Sequence, residues 1–191
     1  MTRLAFLAAA LVTAASLLSG CAGVPLTTSA RMLAKGNDYV IRADPAQLRI
    51  ALNVDARIKA AAVAPPVLHL VARTDAAHPA PDFVRDIPLV AEGADPAQLG
   101  LPATGAGRAW MIYGLDAAGA RQMAELQQRL AAMRAGKQKG TLAIGVRIEG
   151  VAEAVPQYAT TRIETWMRVA AADGFFELWS GRIADAATKR G

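Results

Sequence analysis

The sequence predicts a mainly β, antiparallel β-sandwich-like domain carrying one packed amphipathic helix. From Asp38 onward apolar residues recur mostly with period two, the signature of half-buried strands. Pro, Gly and Asp-Gly turn signals separate about seven such runs, as in small sandwiches. Only one stretch breaks into helical spacing. Composition agrees with a folded domain, because 53% of the 191 residues are hydrophobic, 19% are charged and the formal charge is only +5. A single Cys rules out an internal disulfide framework.

In chain order, Leu48, Ile50, Leu52 and Val54 alternate with Arg49, Ala51 and Asn53, giving the first strand. Val67 to Arg73 follows the Pro65-Pro66 break as a second. Val84 to Val90 is expected as one edge strand, since Pro88 cannot donate to a ladder. Ala109 to Leu115 is apolar on both faces, as a central strand requires. Ala117 to Ala135 is rich in Ala, Gln, Arg, Met and Leu, all strong helix formers. Asp116 caps its start and Gly136 its end, so the helix spans about 116–135. Met123, Leu126, Leu130 and Met133 form its apolar stripe, with Glu125 and Arg129 spaced as an i,i+4 pair. Leu142, Ile144, Val146 and Ile148 mark the clearest strand of all.

The last two strands are expected as a hairpin about Asp173-Gly174, a preferred two-residue turn. That fold pairs Ala172 with Phe175, Val169 with Leu178 and Arg168 with Trp179. Met167, Val169, Ala171, Phe176 and Leu178 then share one face, and Trp166, Arg168, Phe175, Glu177 and Trp179 the other. An alternative α+β arrangement, a single sheet covered by the helix, would make strand–helix–strand 109–148 a parallel crossover. The hexapeptide Ala43-Asp-Pro-Ala-Gln-Leu48 returns as Ala94-Asp-Pro-Ala-Gln-Leu99 with unmatched flanks. It reads as one turn-starting device used twice, not as a duplicated unit.

The N-terminus has a separate logic. Arg3 supplies a positive end, Leu4 to Leu18 an apolar run too short for a permanent span, and Leu18-Ser19-Gly20-Cys21 places small residues before the only cysteine. This segment resembles the lipobox of bacterial lipoproteins. The resemblance covers the first 21 residues and implies a signal-peptide helix over 1–20, cut before Cys21, with acyl chains on the cysteine. Two or three chains hold a protein at a membrane almost permanently. Residues 21–37 are then an acylated tether and 38–187 a mostly β periplasmic domain. Ala22 after the cysteine implies the outer membrane, with membrane lipid as a partner through Cys21.

Chemistry is expected to be sparse. No cysteine follows Cys21, which removes thiol catalysis and Cys-ligated metal. His69 and His78 have no spacing that would join them on zinc, so no metal or other cofactor is expected. Ser29 and Ser180 lie in no nucleophile elbow. Gly100-Leu-Pro-Ala-Thr-Gly105-Ala-Gly lacks the Lys-[Ser/Thr] of a phosphate loop and reads as a flexible turn. Asp82, Asp86 and Glu92 fall in loop or edge settings, which leaves a glycan hydrolase as the weakest reading. Enzymatic activity is not expected. The pI near 9.8 suggests nucleic acid, but export removes that partner, and the basic residues are dispersed.

The most pointed positive feature is the second hairpin face. Trp166, Arg168, Phe175 and Trp179 combine the residue types that dominate binding hot spots, and Arg168 opposite Trp179 would permit a cation–π contact. Either the helix stripe covers this face or an envelope protein does. The expected function is accordingly a non-catalytic, membrane-anchored envelope protein that binds or scaffolds another envelope component. The alternative is a carrier or sensor of an apolar ligand held between sheet and helix around Trp110, Met111, Met123 and Met133, methionine being adaptable in shape.

Overall fold

The computed structural model describes residues 39–58, 64–74, 83–137, 140–148 and 158–183. The expected signal segment, Cys21, the tether, Ser29, His78 and Asp82 lie outside the described residues. Within them the strands are β1 (Arg49–Asp55), β2 (Val67–Thr74), β3 (Phe83–Pro88), β4 (Val90–Glu92) and β5 (Arg108–Gly114). Helix α1 (Ala117–Ala135) follows, then β6 (Gly140–Arg147), β7 (Arg162–Arg168) and β8 (Phe176–Arg182). They form two antiparallel sheets, a larger one ordered β4-β5-β1-β7-β8 and a smaller one ordered β3-β2-β6.

The main core lies between these layers. Ile50, Leu52 and Val54 of β1 meet Leu68, Leu70 and Ala72 of β2, with Ile87, Ile163 and Met167 closing around them, all buried. Each fully buried side chain of this size contributes about 1.5–3 kcal/mol, so these inward rows fix which face of each strand points in.

The single-sheet alternative fails on strand edges. β5 already has β1 on one side and β4 on the other, so the strand after α1 cannot join it. α1 instead carries the chain from the larger sheet to the smaller. Its start is capped by Asp116, whose carboxylate accepts from Gly119 N at 2.7 Å. Met123, Leu126 and Leu130 enter the main core. Gln127 Nε2 donates to Val40 O and Ala43 O at 2.9 and 2.8 Å, and Arg129 lies over the Phe83 ring at 4.8 Å. The helix thus packs against the 39–47 segment and β3.

The expected 84–90 strand divides in two. Pro88 ends β3, Leu89 is buried with its N–H on Pro66 O at 3.0 Å, and Val90 begins β4 in the other sheet. Leu89 is therefore a corner between layers. Both copies of Asp-Pro-Ala-Gln-Leu use the same local device. Asp44 and Asp95 each accept from the amide two residues on, at 2.9 Å.

The β7–β8 hairpin also departs from expectation. Its turn is a 3-10 turn over Ala171–Asp173 followed by Gly174 at φ 68°, ψ −176°, a conformation essentially reserved for glycine. Asp173 is drawn away from a tight Asp-Gly turn by Tyr39, whose hydroxyl donates to its carboxylate at 2.8 Å. Ala171 N donates to Gln47 Oε1 at 3.0 Å, fastening the same loop. The longer loop resets the register: Met167 faces Phe176, Trp166 faces Glu177, and Thr165 faces Trp179. Between Thr165 and Trp166 the ladder carries a bulge, with Leu178 as the extra residue on β8.

Candidate ligand-binding face

The outward side of the larger sheet is set by alternation and register. Arg49, Ala51 and Asn53 of β1 point away from the main core, beside Gly114, Ile112 and Trp110 of β5 and Arg168, Trp166 and Glu164 of β7. Ala51, Ile112 and Phe175 are buried there together with Leu101, and Ala94, Leu99, Trp110 and Trp166 pack on them. A second, smaller apolar layer therefore lies on the outer side of the sheet. Its cover is the 93–107 segment between β4 and β5. The helix stripe, the cover expected from sequence, is spent in the main core.

Three of the four expected face residues meet in this layer. Trp166 stands edge-on to Trp110, with ring centroids 5.8 Å apart and planes at 86°, a favourable aromatic arrangement. Arg168 lies over the Phe175 ring at 5.2 Å. Trp179 is not among them. The bulge turns it to the opposite side, where it packs on the main core and its ring occupies the space a Cβ on Gly181 would need. The cation–π partner of Arg168 is thus Phe175, not Trp179.

Charge on this face is uneven. Arg49 and Arg168 are register neighbours, and Arg49 Nε pairs with Glu92 Oε2 at 2.6 Å. Gly114 makes room for that pair, since a Cβ there would collide with the Glu92 carboxylate. Burial, followed by the neighbouring Arg49 charge, pushes the Arg168 guanidinium below the ordinary arginine range, while Glu92 pulls the other way. Two polar atoms in the layer, Trp166 Nε1 and Arg168 Nε, are buried without a hydrogen-bond partner among the described residues. Trp110 Nε1, by contrast, donates to Pro102 O at 2.9 Å and helps fasten the cover.

One end of the face is a satisfied polar network. Arg108 donates to Asn53 Oδ1 at 2.8 Å, to Asn53 O at 2.6 Å and to Arg162 O at 3.0 Å. Asn53 in turn donates to Glu164 at 3.3 Å, and Arg162 donates to Ser180 Oγ at 3.2 Å. Ser180 is thereby part of this network, opposite Glu164 in the β7–β8 register, with its hydroxyl accepting from Arg162.

The remaining sequence candidates sit elsewhere. His69 and Asp86 touch at 2.6 Å on the exposed side of the smaller sheet, and Arg147 reaches Asp86 at 3.1 Å. Among the described residues, no three His, Cys, Asp or Glu side chains gather as a metal site. Also among them, no helix is long and apolar enough to cross a membrane. Met111, Met123 and Met133 belong to the main core whereas Trp110 belongs to the outer layer, so the four do not line one space.

Comparison with protein-family models, characterised proteins and solved structures finds no match. The geometry alone therefore defines the candidate face. Sequence reasoning named Glu92 as a carboxylate candidate and Trp110 as a ligand contact but placed neither on this face, and it missed Arg49 and the 93–107 cover. The signal available for the cover was Leu99 and Leu101 inside a Gly- and Pro-rich stretch. Leu101 is buried, so this stretch is no free turn.

Proposed function

We propose that this chain is a lipid-anchored, non-catalytic protein of the bacterial envelope, held through Cys21 at the outer membrane and facing the periplasm. It binds another envelope component through the outer face of its larger sheet. The observation that carries the reading is Leu18-Ser19-Gly20-Cys21 directly after an apolar run, at the only cysteine of the chain. The mechanism is tethering, which confines the face to a thin layer and raises its effective concentration for partners there. Support for the binding role comes from Trp166, Arg168 and Phe175 on one outer face with two donors unpaired.

The test is Cys21→Ser in cells fed labelled palmitate, with a photo-crosslinking residue at the Trp166 position. Loss of label and release from membranes are expected, together with envelope partners crosslinked by the anchored protein. Unchanged acylation would overturn the anchor, and an absence of crosslinks would overturn the binding role.

A further inference from the structure

We propose that the outer face of the larger sheet is a carboxylate site, in which Trp166 Nε1 and Arg168 Nε donate to the carboxylate of a ligand with an apolar body. This rests on the reading of that face as the binding face and is independent of the anchor.

Buried N–H groups almost always have acceptors, and exceptions call for an explanation. Here two exceptions fall on alternate residues of one strand, on the same face of one sheet. The backbone rise along a strand puts such positions roughly 6.6 Å apart, near enough for one ligand group to serve both. An indole N–H and a guanidinium N–H donate only, so the missing group must be an acceptor.

Charge selects among acceptors. The trio of Arg49, Arg168 and Glu92 carries one positive charge in excess, because Glu92 is engaged by Arg49. A single negative charge balances it. A phosphate dianion would overshoot inside an apolar layer, where unpaired charge is costly. The walls then describe the rest of the ligand. Trp110, Phe175 and Ile112 are aromatic or aliphatic and hold an apolar body, and the Arg168 guanidinium sits 5.2 Å from the Phe175 ring centroid, beside that body. The 93–107 segment covers the same layer, so a ligand enters by displacing it. Gly100 and Gly107, both at positive φ, lie within that segment.

The experiment is a benzoate titration of the ¹⁵N-labelled full-length protein in non-ionic detergent, following the indole and arginine Nε–H resonances. Saturable downfield movement of the Trp166 indole and Arg168 Nε–H is expected, with the Trp179 indole unmoved. Benzamide, the uncharged isostere, should bind about tenfold more weakly, as loss of a charge-assisted bond implies. Trp166→Phe keeps a ring and removes an unpaired donor, so it should fold; Arg168→Lys keeps the charge and loses the Nε donor. Each should weaken benzoate about tenfold. The site assignment fails if the Trp166 indole does not saturate, if Trp179 moves equally, or if both variants bind as the parent does. Benzamide binding as tightly as benzoate, or phenyl phosphate binding more tightly, overturns the carboxylate assignment. Cys21→Ser should bind benzoate unchanged, so failure of the anchor leaves this result standing. Conversely, failure here with crosslinks still formed at Trp166 would leave the face a binding surface for another chemistry.

Discussion

The position of Trp179 separates the observed β7–β8 register from the simple alternation about Asp173-Gly174, and a double-mutant cycle with Gly181 decides between them. In the observed register the Trp179 ring packs on the main core and fills the space above Gly181, touching where a Cβ would stand. Truncating a core Trp to Ala costs roughly 3–5 kcal/mol. Trp179 is only partly buried, which places Trp179→Ala near the lower end, at about 3 kcal/mol. Gly181→Ala adds a methyl into occupied space and should cost about 1–3 kcal/mol as overpacking. In the double variant the ring that caused the clash is gone. The combined loss should therefore fall short of the sum by about 1–3 kcal/mol, well outside the additivity of independent sites. Urea unfolding of the full-length chain, followed by circular dichroism, reads all four corners. Additive losses, or a Trp179→Ala cost below about 1 kcal/mol, would refute the bulge and return Trp179 to the outer face beside Trp166.

Two further outcomes follow from local chemistry. Arg108→Met removes three hydrogen bonds, two of them to Asn53, which is only 7% exposed; the loss should be about 2–3 kcal/mol in the same urea assay. Asp55 is forked by Arg57 through contacts at 2.9 and 2.6 Å, and these bonds hold its carboxyl well below the ordinary aspartate range. A folded-state pKa lowered in this way gives stabilisation that is present above the unfolded value near 3.9 and lost as pH falls below it. By carboxyl NMR, Asp55 should remain ionised where a free aspartate is half protonated, and Arg57→Gln should return its titration to the ordinary range.

What could be read from sequence was whatever depended on local periodicity. Periodicity located β1, β2, β5 and β6, and Ile50, Leu52 and Val54 are buried as the β1 alternation predicted. Ala51 and Asn53, expected on an open face, are buried as well, Ala51 under the outer layer. Asp116 marked the helix start to the residue, because a cap is a contact between near neighbours. The layer exchange at Leu89 was illegible, since Pro88 explains the end of a strand but not which sheet takes up Val90. The hairpin register failed for a related reason. Asp173-Gly174 has the composition of a tight turn, but Tyr39 and Gln47, more than a hundred residues away, hold the loop in a longer form. The resulting shift left Trp166, Arg168 and Phe175 together and sent Trp179 inward. The cover over that face was hidden because the 93–107 stretch has no period at all.

Aromatic placement bears on why the outer layer exists. Aromatic residues make up only 5% of this chain, and the main core is filled chiefly by Leu, Ile, Val and Met. Of the three tryptophans, two stand on the outer side of the larger sheet, where neither is needed to join the two sheets. Aliphatic side chains would have covered Ala51 and Ile112 with less polar surface to satisfy. Instead the layer holds two indoles and a guanidinium, and leaves one N–H of Trp166 and one of Arg168 without acceptors among the described residues. Such a choice lowers stability in the unliganded protein, because each unpaired donor costs about 1–3 kcal/mol. Removing the indole donor by Trp166→Phe should then be neutral or stabilising without ligand and harmful with it. A purely structural layer would give the opposite sign, since there the indole would be kept for its packing alone.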